Sequence, residues 1–251
     1  MTEDIDDHQL ARRVAVEAGV LLVELRDAIG ADTAADVLRS RGDQESHRFI
    51  VDMLARLRPD DAVLSEEGVD DRRRLDSSRV WIVDPLDGTR EFGELGRSDW
   101  AVHVALWSDG ELEAGAVAMP AHDAVYSTAQ PPPQQPFDDG VLRIAVSRTR
   151  APRIARELAA ALGAELVPMG SAGAKAMAVV TGDVDMYVHS GGQYEWDSAA
   201  PVVVARSAGL HASRIDGAPL QYNRSDAWLP DLLLCRPELS DRVLALVAQL
   251  S

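Results

Sequence analysis

The chain has 251 residues, enough to bury a substantial core as one large domain or as two closely joined halves. Its 41 Asp+Glu against 25 Lys+Arg give a formal charge of −16, which repels nucleic-acid backbones and excludes DNA or RNA binding by bulk electrostatics. One cysteine, Cys235, excludes an intrachain disulfide; no apolar run is long enough for a bilayer, and the acidic Met1–Asp7 lacks the pattern of a secretory signal, so a cytoplasmic protein is expected.

Leu10, Val14, Ala18, Leu21, Leu22 and Leu25 recur at helical spacing and predict an amphipathic first helix that fades near Gly30. A second is expected to begin near Asp43 and run through Phe49, Ile50, Met53, Leu54 and Leu57 to Pro59. Strand-like runs follow at 62–65, 80–84, 100–107, 112–118 and 124–127. Asp-Gly and Pro signals separate the later ones and suggest an antiparallel meander. The Pro-rich stretch 130–140 reads as a linker between an N-terminal α+β half, 1–129, and a C-terminal α/β half, 141–251. Beyond it strands at 142–146, 165–168, 185–188 and 232–235 alternate with helices at 151–162, 172–181, 195–208 and 237–250. The pattern predicts a layered α/β (α+β) architecture. With aromatics at 5%, its core rests on Ala, Val, Leu and Ile, and the five tryptophans read as packing, Trp196 also as a wall of the site. Cys235 reads as a core residue and Arg72–Arg74 as a solvated loop.

The densest chemistry is Trp81-Ile82-Val83-Asp84-Pro85-Leu86-Asp87-Gly88-Thr89. An apolar strand ends on one acid, a second acid follows three positions later, and Gly88-Thr89 can open a helix whose amides would face an anion. Two carboxylates and the Leu86 carbonyl offer hard oxygen ligands of the kind Mg²⁺ prefers. The same letters also fit a surface β-turn. An EF-hand loop would need Glu at its twelfth position, where Leu95 stands. Three more acidic segments lie elsewhere: Ser65-Glu66-Glu67-Gly68 after a strand, Glu195-Trp196-Asp197 at a helix start, and Asp43, also read at a helix start. Each of the last two alone fits a simple cap. Bound cations would also answer how so acidic a surface accepts an anionic phosphate ester.

Together, Glu66-Glu67, the Asp-Pro-Leu-Asp-Gly-Thr run, Gly170-Ser171-Ala172 before a helix, and Glu195-Trp196-Asp197-Ser198-Ala199-Ala200 resemble the inositol monophosphatase superfamily. The resemblance spans most of the chain and implies the layered αβαβα sandwich of that superfamily, which includes the fructose-1,6-bisphosphatases. It further implies a phosphatase of small phosphorylated metabolites using two or three Mg²⁺ ions. Glu67, Asp84, the Leu86 carbonyl, Asp87 and Asp197 would hold the metal. Asp43 would pair with Thr89, and Glu67 with Thr89 would position the attacking water. Gly88 and Thr89 amides would hold phosphate oxygens. Lithium sensitivity and a homodimer are in keeping with such relatives.

Two departures refine the reading. The stretch Ala35-Asp36-Val37-Leu38-Arg39-Ser40-Arg41-Gly42-Asp43 has Ser40 where the family carries threonine, and its loop lacks the usual charge pattern. Ser190 stands where inositol phosphatases carry a sugar-gripping Glu. His189-Ser190-Gly191-Gly192-Gln193-Tyr194-Glu195-Trp196-Asp197 resembles instead the actinobacterial CysQ-type phosphatases of 3′-phosphoadenosine 5′-phosphate (PAP), which serve sulfate assimilation. By that resemblance Ser171, Lys175 and His189 join Ser190 on the substrate side, Lys175 near a second phosphate. A broad inositol or fructose-bisphosphate phosphatase and a catalytically silent metal-binding scaffold are the alternatives.

Overall fold

The computed structural model describes residues 5–29, 34–137 and 140–250. Met1–Asp4, Gly30, where the first helix is expected to fade, and Asp138–Asp139 of the expected linker lie outside them. In chain order come α1 (Asp7–Ile29), α2 (Ala35–Leu57), β1 (Ala62–Ser65), β2 (Arg79–Asp87), α3 (Thr89–Phe92), β3 (Ala101–Ser108), β4 (Glu111–Met119) and β5 (Ala124–Ser127). Then follow β6 (Arg143–Ser147), α4 (Arg153–Leu162), β7 (Glu165–Met169), α5 (Ala172–Thr181), β8 (Met186–Tyr194), α6 (Glu195–Ser207), β9 (His211–Ser213), β10 (Trp228–Cys235) and α7 (Ser240–Leu250).

Two five-stranded sheets form, in the orders β1-β2-β3-β4-β5 and β7-β6-β8-β10-β9. In the first, β1 runs parallel to β2 and the rest is the expected antiparallel meander. Its β3–β4 hairpin turns on Asp109-Gly110, both at positive φ, the two-residue loop whose twist matches the strands. In the second, β6 lies parallel to both β7 and β8, whereas β10 is antiparallel to β8 and β9.

Three apolar cores hold five layers together, the middle one spanning both faces of the central helices. Leu10, Val14, Ala18 and Leu22 of α1 lie one turn apart and, with Ile50 and Leu54 of α2, cover one face of the first sheet. Helices α5 and α6 fill the space between the sheets, where Val179, Ala200 and Val204 meet Ile82, Val117 and Leu234. Leu158 of α4 and Val243 of α7 cover the outer face of the second sheet. The result is the expected αβαβα sandwich. No helix among the described residues is long and apolar enough to cross a membrane.

Several elements differ from the sequence reading. Helix α2 starts at Ala35, eight positions before Asp43, so Asp43 sits inside a helix rather than at its start. Gly42 hid this, since a glycine reads as a boundary. Here it lets α2 approach the site, because a Cβ would meet Leu86 and Phe92 side chains at 2.8 and 2.7 Å. Strand β9 was too short and polar to show. Arg74 is not solvated: it is buried, donating to Asp70 at 2.6 Å and to Asn223 at 2.7 Å. Cys235 is buried, as expected. Trp81 and Trp100 are core, but Trp228 is 42% exposed.

Candidate active site

Strand β2 is buried along nearly all its length and carries two of the acids at its end. Pro85 has no N–H for the ladder, so pairing with β3 slips between Asp84↔His103 and Asp87↔Ala101. The Asp84–Asp87 run is therefore a bulge within a buried strand and not the surface β-turn that the same letters also fit. Asp84 is closed into it by the Leu86 amide, which donates to its Oδ1 at 3.0 Å. Asp87 is pinned from the second half of the chain: the Ala172 and Gly173 amides at the start of α5 donate to its two oxygens at 3.1 and 2.5 Å. An anion at a helix N-terminus satisfies donors that the helix leaves open.

Asp197, in the first turn of α6, accepts the Tyr194 amide at 2.6 Å. It both caps its helix and meets the β2 acids. Asp84, Asp87 and Asp197 each present an oxygen within 4.8 Å of the others. Burial first, then repulsion from Glu66, Asp87 and Asp197, raises Asp84 well above the ordinary carboxyl range. Burial and the Asp87 charge push Asp197 up to about 6. Asp87 goes the other way. Burial opposes its charge, but His103, the Gly173 amide and Lys175 together hold it below its usual value. His103 Nε2 lies 3.1 Å from Asp87 Oδ2 while its Nδ1 meets the Trp196 carbonyl at 3.1 Å. Burial opposes charging this imidazole too, yet Asp87 and the Trp196 carbonyl lift its pKa.

The fourth acid is Glu66 rather than Glu67. The Glu66 amide donates to the Val83 carbonyl, which extends the β1–β2 pairing by one residue and sets its side chain beside Asp84. Burial, with repulsion from Asp197, Asp87 and Glu67, raises it to about 7 against an opposing hydrogen bond with Asp84. Glu67 belongs to the following turn, closed by Gly68 N to Ser65 O at 3.1 Å, and its charge acts on Asp43 and His47. Of the two adjacent acids, Glu66 is thus the one beside Asp84, while Glu67 lies toward Asp43 and His47, because neighbouring residues leaving a strand point to different sides.

Asp43 meets Thr89 as expected. The Thr89 hydroxyl lies 3.1 Å from Asp43 Oδ1 and 3.1 Å from the Leu86 carbonyl. It has one proton for two acceptors. Burial, with the Glu67 charge and against the Thr89 hydrogen bond, raises Asp43 to about 6. Gly88 holds φ +85°, a conformation that favours glycine, and a Cβ there would meet Ser171 Cβ at 2.9 Å. The Gly88 and Thr89 amides donate no hydrogen bond among the described residues.

Beyond the acids an open cleft of about 410 Å³ is lined by Gly88, Ser171, Lys175, His189 and Asp197 among others. Ser171 is the N-cap of α5, its hydroxyl accepting from Ala174 N at 3.0 Å. The Lys175 ammonium donates to the Gly170 and Ser171 carbonyls at 2.5 and 2.6 Å, leaving one N–H of three. Burial lowers its pKa against the pull of Asp87, Glu91, Asp197 and Asp99. His189 Nε2 is 2.8 Å from the Gly192 carbonyl. Ser190 does not line this cleft; it faces an adjoining hollow with Thr149 and Arg150. Sequence reasoning singled out the Glu66-Glu67 pair but gave the ligand role to Glu67, and it missed His103, Tyr194 and Trp228 as parts of the site. A lone histidine within the apolar Ala101–Trp107 run was the available signal, since a buried polar group needs a partner.

The donor set is oxygen throughout, from carboxylates and the Leu86 carbonyl, and the Asp87 charge raises the pKa of Asp84, Asp197 and Glu66. Such a set fits a hard divalent cation and not a thiophilic one.

A model of the inositol monophosphatase family matches residues 9–250. A 3′-phosphoadenosine 5′-phosphate phosphatase of Mycobacterium leprae is 48% identical, over 98% of this chain and 95% of that protein. The 3′(2′),5′-bisphosphate nucleotidase CysQ of Escherichia coli is 31% identical over 78% of this chain and 81% of its own. Among solved structures, inositol monophosphatase II of Staphylococcus aureus superposes with a TM-score of 0.79 over 93% of this chain and 92% of that one, at 24% identity, a likeness of fold.

Proposed function

The chain belongs to the inositol monophosphatase family, and we propose that it hydrolyses PAP to AMP and phosphate in the cytoplasm, using two or three Mg²⁺ ions. The observation that carries the proposal is the meeting of Asp84, Asp87 and Asp197 within 4.8 Å beside Glu66. The relative from Mycobacterium leprae, similar over nearly the whole length, supports the choice of substrate.

Glu66, Asp84, the Leu86 carbonyl, Asp87 and Asp197 would hold the cations. When bound, these supply an activated water nucleophile and offset the charge that builds up on the phosphoryl group. The chain's own residues do the rest. Thr89 fixes the geometry between Asp43 and Leu86 and can relay a proton, giving its own to Asp43 as it takes one from the attacking water; a pKa near 6 suits Asp43 as acceptor close to neutral pH. The unpartnered Gly88 and Thr89 amides offer donors to phosphate oxygens. His103 and the start of α5 hold Asp87 ionised and in place. The remaining N–H of Lys175 supplies positive charge to a second phosphate in the cleft.

The test is release of phosphate from PAP by purified protein with Mg²⁺, ranked by kcat/KM against inositol 1-phosphate and fructose 1,6-bisphosphate. PAP should rank first. Release from the other two alone would show a phosphatase of different specificity, and no release from any would leave only a metal-binding scaffold.

A further inference from the structure

Two large aromatic rings stand in water at the mouth of the cleft, in a chain where aromatics are only 5% of residues. Tyr194 is 44% and Trp228 42% exposed, and both line the same cleft as Asp87, Gly88 and Asp197. Their ring centroids are 5.3 Å apart at 82°, making a right-angled corner. Trp196 stacks on Tyr194 at 4.7 Å and 9° and holds that ring flat.

The backbone is shaped to keep the corner there. Tyr194 pairs with Trp228 across β8 and β10, and the register shifts just beyond, between Leu229 and Asp231, where Pro230 cannot donate to the ladder. Gly191 and Gly192 hold φ +103° and +90°. A Cβ on Gly192 would fall 1.5 Å from the indole of Trp228, so the strand runs directly under that ring. The corner is also tied to the acids. The Tyr194 amide donates to Asp197 Oδ2 at 2.6 Å, so ring and carboxylate share three residues of backbone.

The geometry points to Tyr194 and Trp228 as a stacking platform for the purine base of the substrate, and hence as residues that select a nucleotide over a sugar or cyclitol phosphate. This rests on the reading of the site as a nucleotide phosphatase. An exposed ring pair has an apolar face to cover, and a purine offers a flat π-surface of matching size. Stacking also adds binding that a charge of −16 does not oppose, whereas every further phosphate on the substrate is repelled by that charge. A polyol phosphate would leave both rings in water.

The test compares kcat/KM for PAP with that for inositol 1-phosphate in the full chain and in Tyr194→Ala, Trp228→Ala and Tyr194→Phe, all with Mg²⁺. Loss of one base–aromatic stack corresponds to about tenfold to a hundredfold. The PAP to inositol 1-phosphate ratio should fall by that factor in each Ala variant, carried mainly by KM for PAP. It should stay within about threefold of wild type in Tyr194→Phe, which keeps the ring. A ratio unchanged in both Ala variants, or one that falls as far in Tyr194→Phe, overturns the platform while leaving the phosphatase reading intact. Failure of wild type itself to act on PAP, with inositol 1-phosphate still turned over, overturns both.

Discussion

Replacing Asp84 with Asn should stabilise the metal-free protein and remove its response to Mg²⁺. Asp84, Asp87 and Asp197 present oxygens within 4.8 Å of one another. At an effective dielectric of about 20, each ionised pair at that separation repels by about 3.5 kcal/mol. The metal-free fold relieves the repulsion by holding protons: Asp84 titrates well above its usual range and Asp197 near 6. A lift of about two units, the size seen at Asp197, corresponds to about 3 kcal/mol of charging cost near neutral pH. Asn keeps the shape of Asp84, and its Oδ1 can still accept the Leu86 amide. The substitution therefore removes the cost while the Leu86 amide keeps its acceptor. In EDTA at about pH 8, a gain of about 2–3 kcal/mol corresponds to a rise in Tm of roughly 5–10 °C for a chain of this length. Thermal scans with and without saturating Mg²⁺ read both effects. Wild type should gain from Mg²⁺ and the variant should not. A variant less stable than wild type in EDTA, or one that gains as much from the metal, would refute the reasoning.

The pH dependence follows from the same acids. Asp43 and Asp197 titrate near 6 and Glu66 near 7 in the metal-free fold, above their unfolded values. Between those limits the folded state holds protons that the unfolded chain has released, so stability falls as pH rises from about 4 to about 7. Tm measured in EDTA across that window should decline, and Mg²⁺ should flatten the decline near neutrality. Thr89→Ala removes the hydroxyl between Asp43 and Leu86, so kcat on PAP should drop about 10²- to 10⁴-fold while the Mg²⁺-induced rise in Tm persists. An equal loss of both would make Thr89 merely structural. Glu66→Gln should raise the Mg²⁺ concentration needed for half-maximal activity by at least about tenfold, the loss that removing even an outer-shell partner of a metal ligand brings, and Glu67→Gln should change it far less. The reverse order would return the ligand role to Glu67. His103→Gln removes the imidazole that braces Asp87, and weaker Mg²⁺ affinity should appear as a smaller thermal shift at fixed metal.

The layered fold was legible because its signals are local. The i, i+4 stripe of α1, the strand-like apolar runs of β3 and β4 on either side of Asp109-Gly110, and the regular strand–helix spacing after residue 140 each declare their element without reference to the others. The site was legible for a different reason. Asp84, Asp87 and Thr89 lie on one short run, so their proximity is written into the chain. What was lost needed three dimensions. Gly42 signals a boundary in sequence but serves a close approach of α2 to Leu86 and Phe92. The choice between Glu66 and Glu67 turns on a single backbone bond to Val83, which adjacent identical letters cannot express. Arg74 looks solvated in a run of three arginines, and only the distant Asn223 and Arg224 reveal its burial. Trp228 reads as core by its type, yet its strand partner Tyr194 brings it to the edge of the cleft.

The central claim is that acids from three separated parts of the chain hold the same cations. Anomalous diffraction from crystals soaked with Mn²⁺ tests it most directly, because Mn²⁺ takes the oxygen ligands of Mg²⁺ and is located without ambiguity. The account predicts peaks bounded by Glu66, Asp84, the Leu86 carbonyl, Asp87 and Asp197. Peaks that engage Glu67 in place of Glu66, or that leave Asp197 out of the coordination, would contradict it.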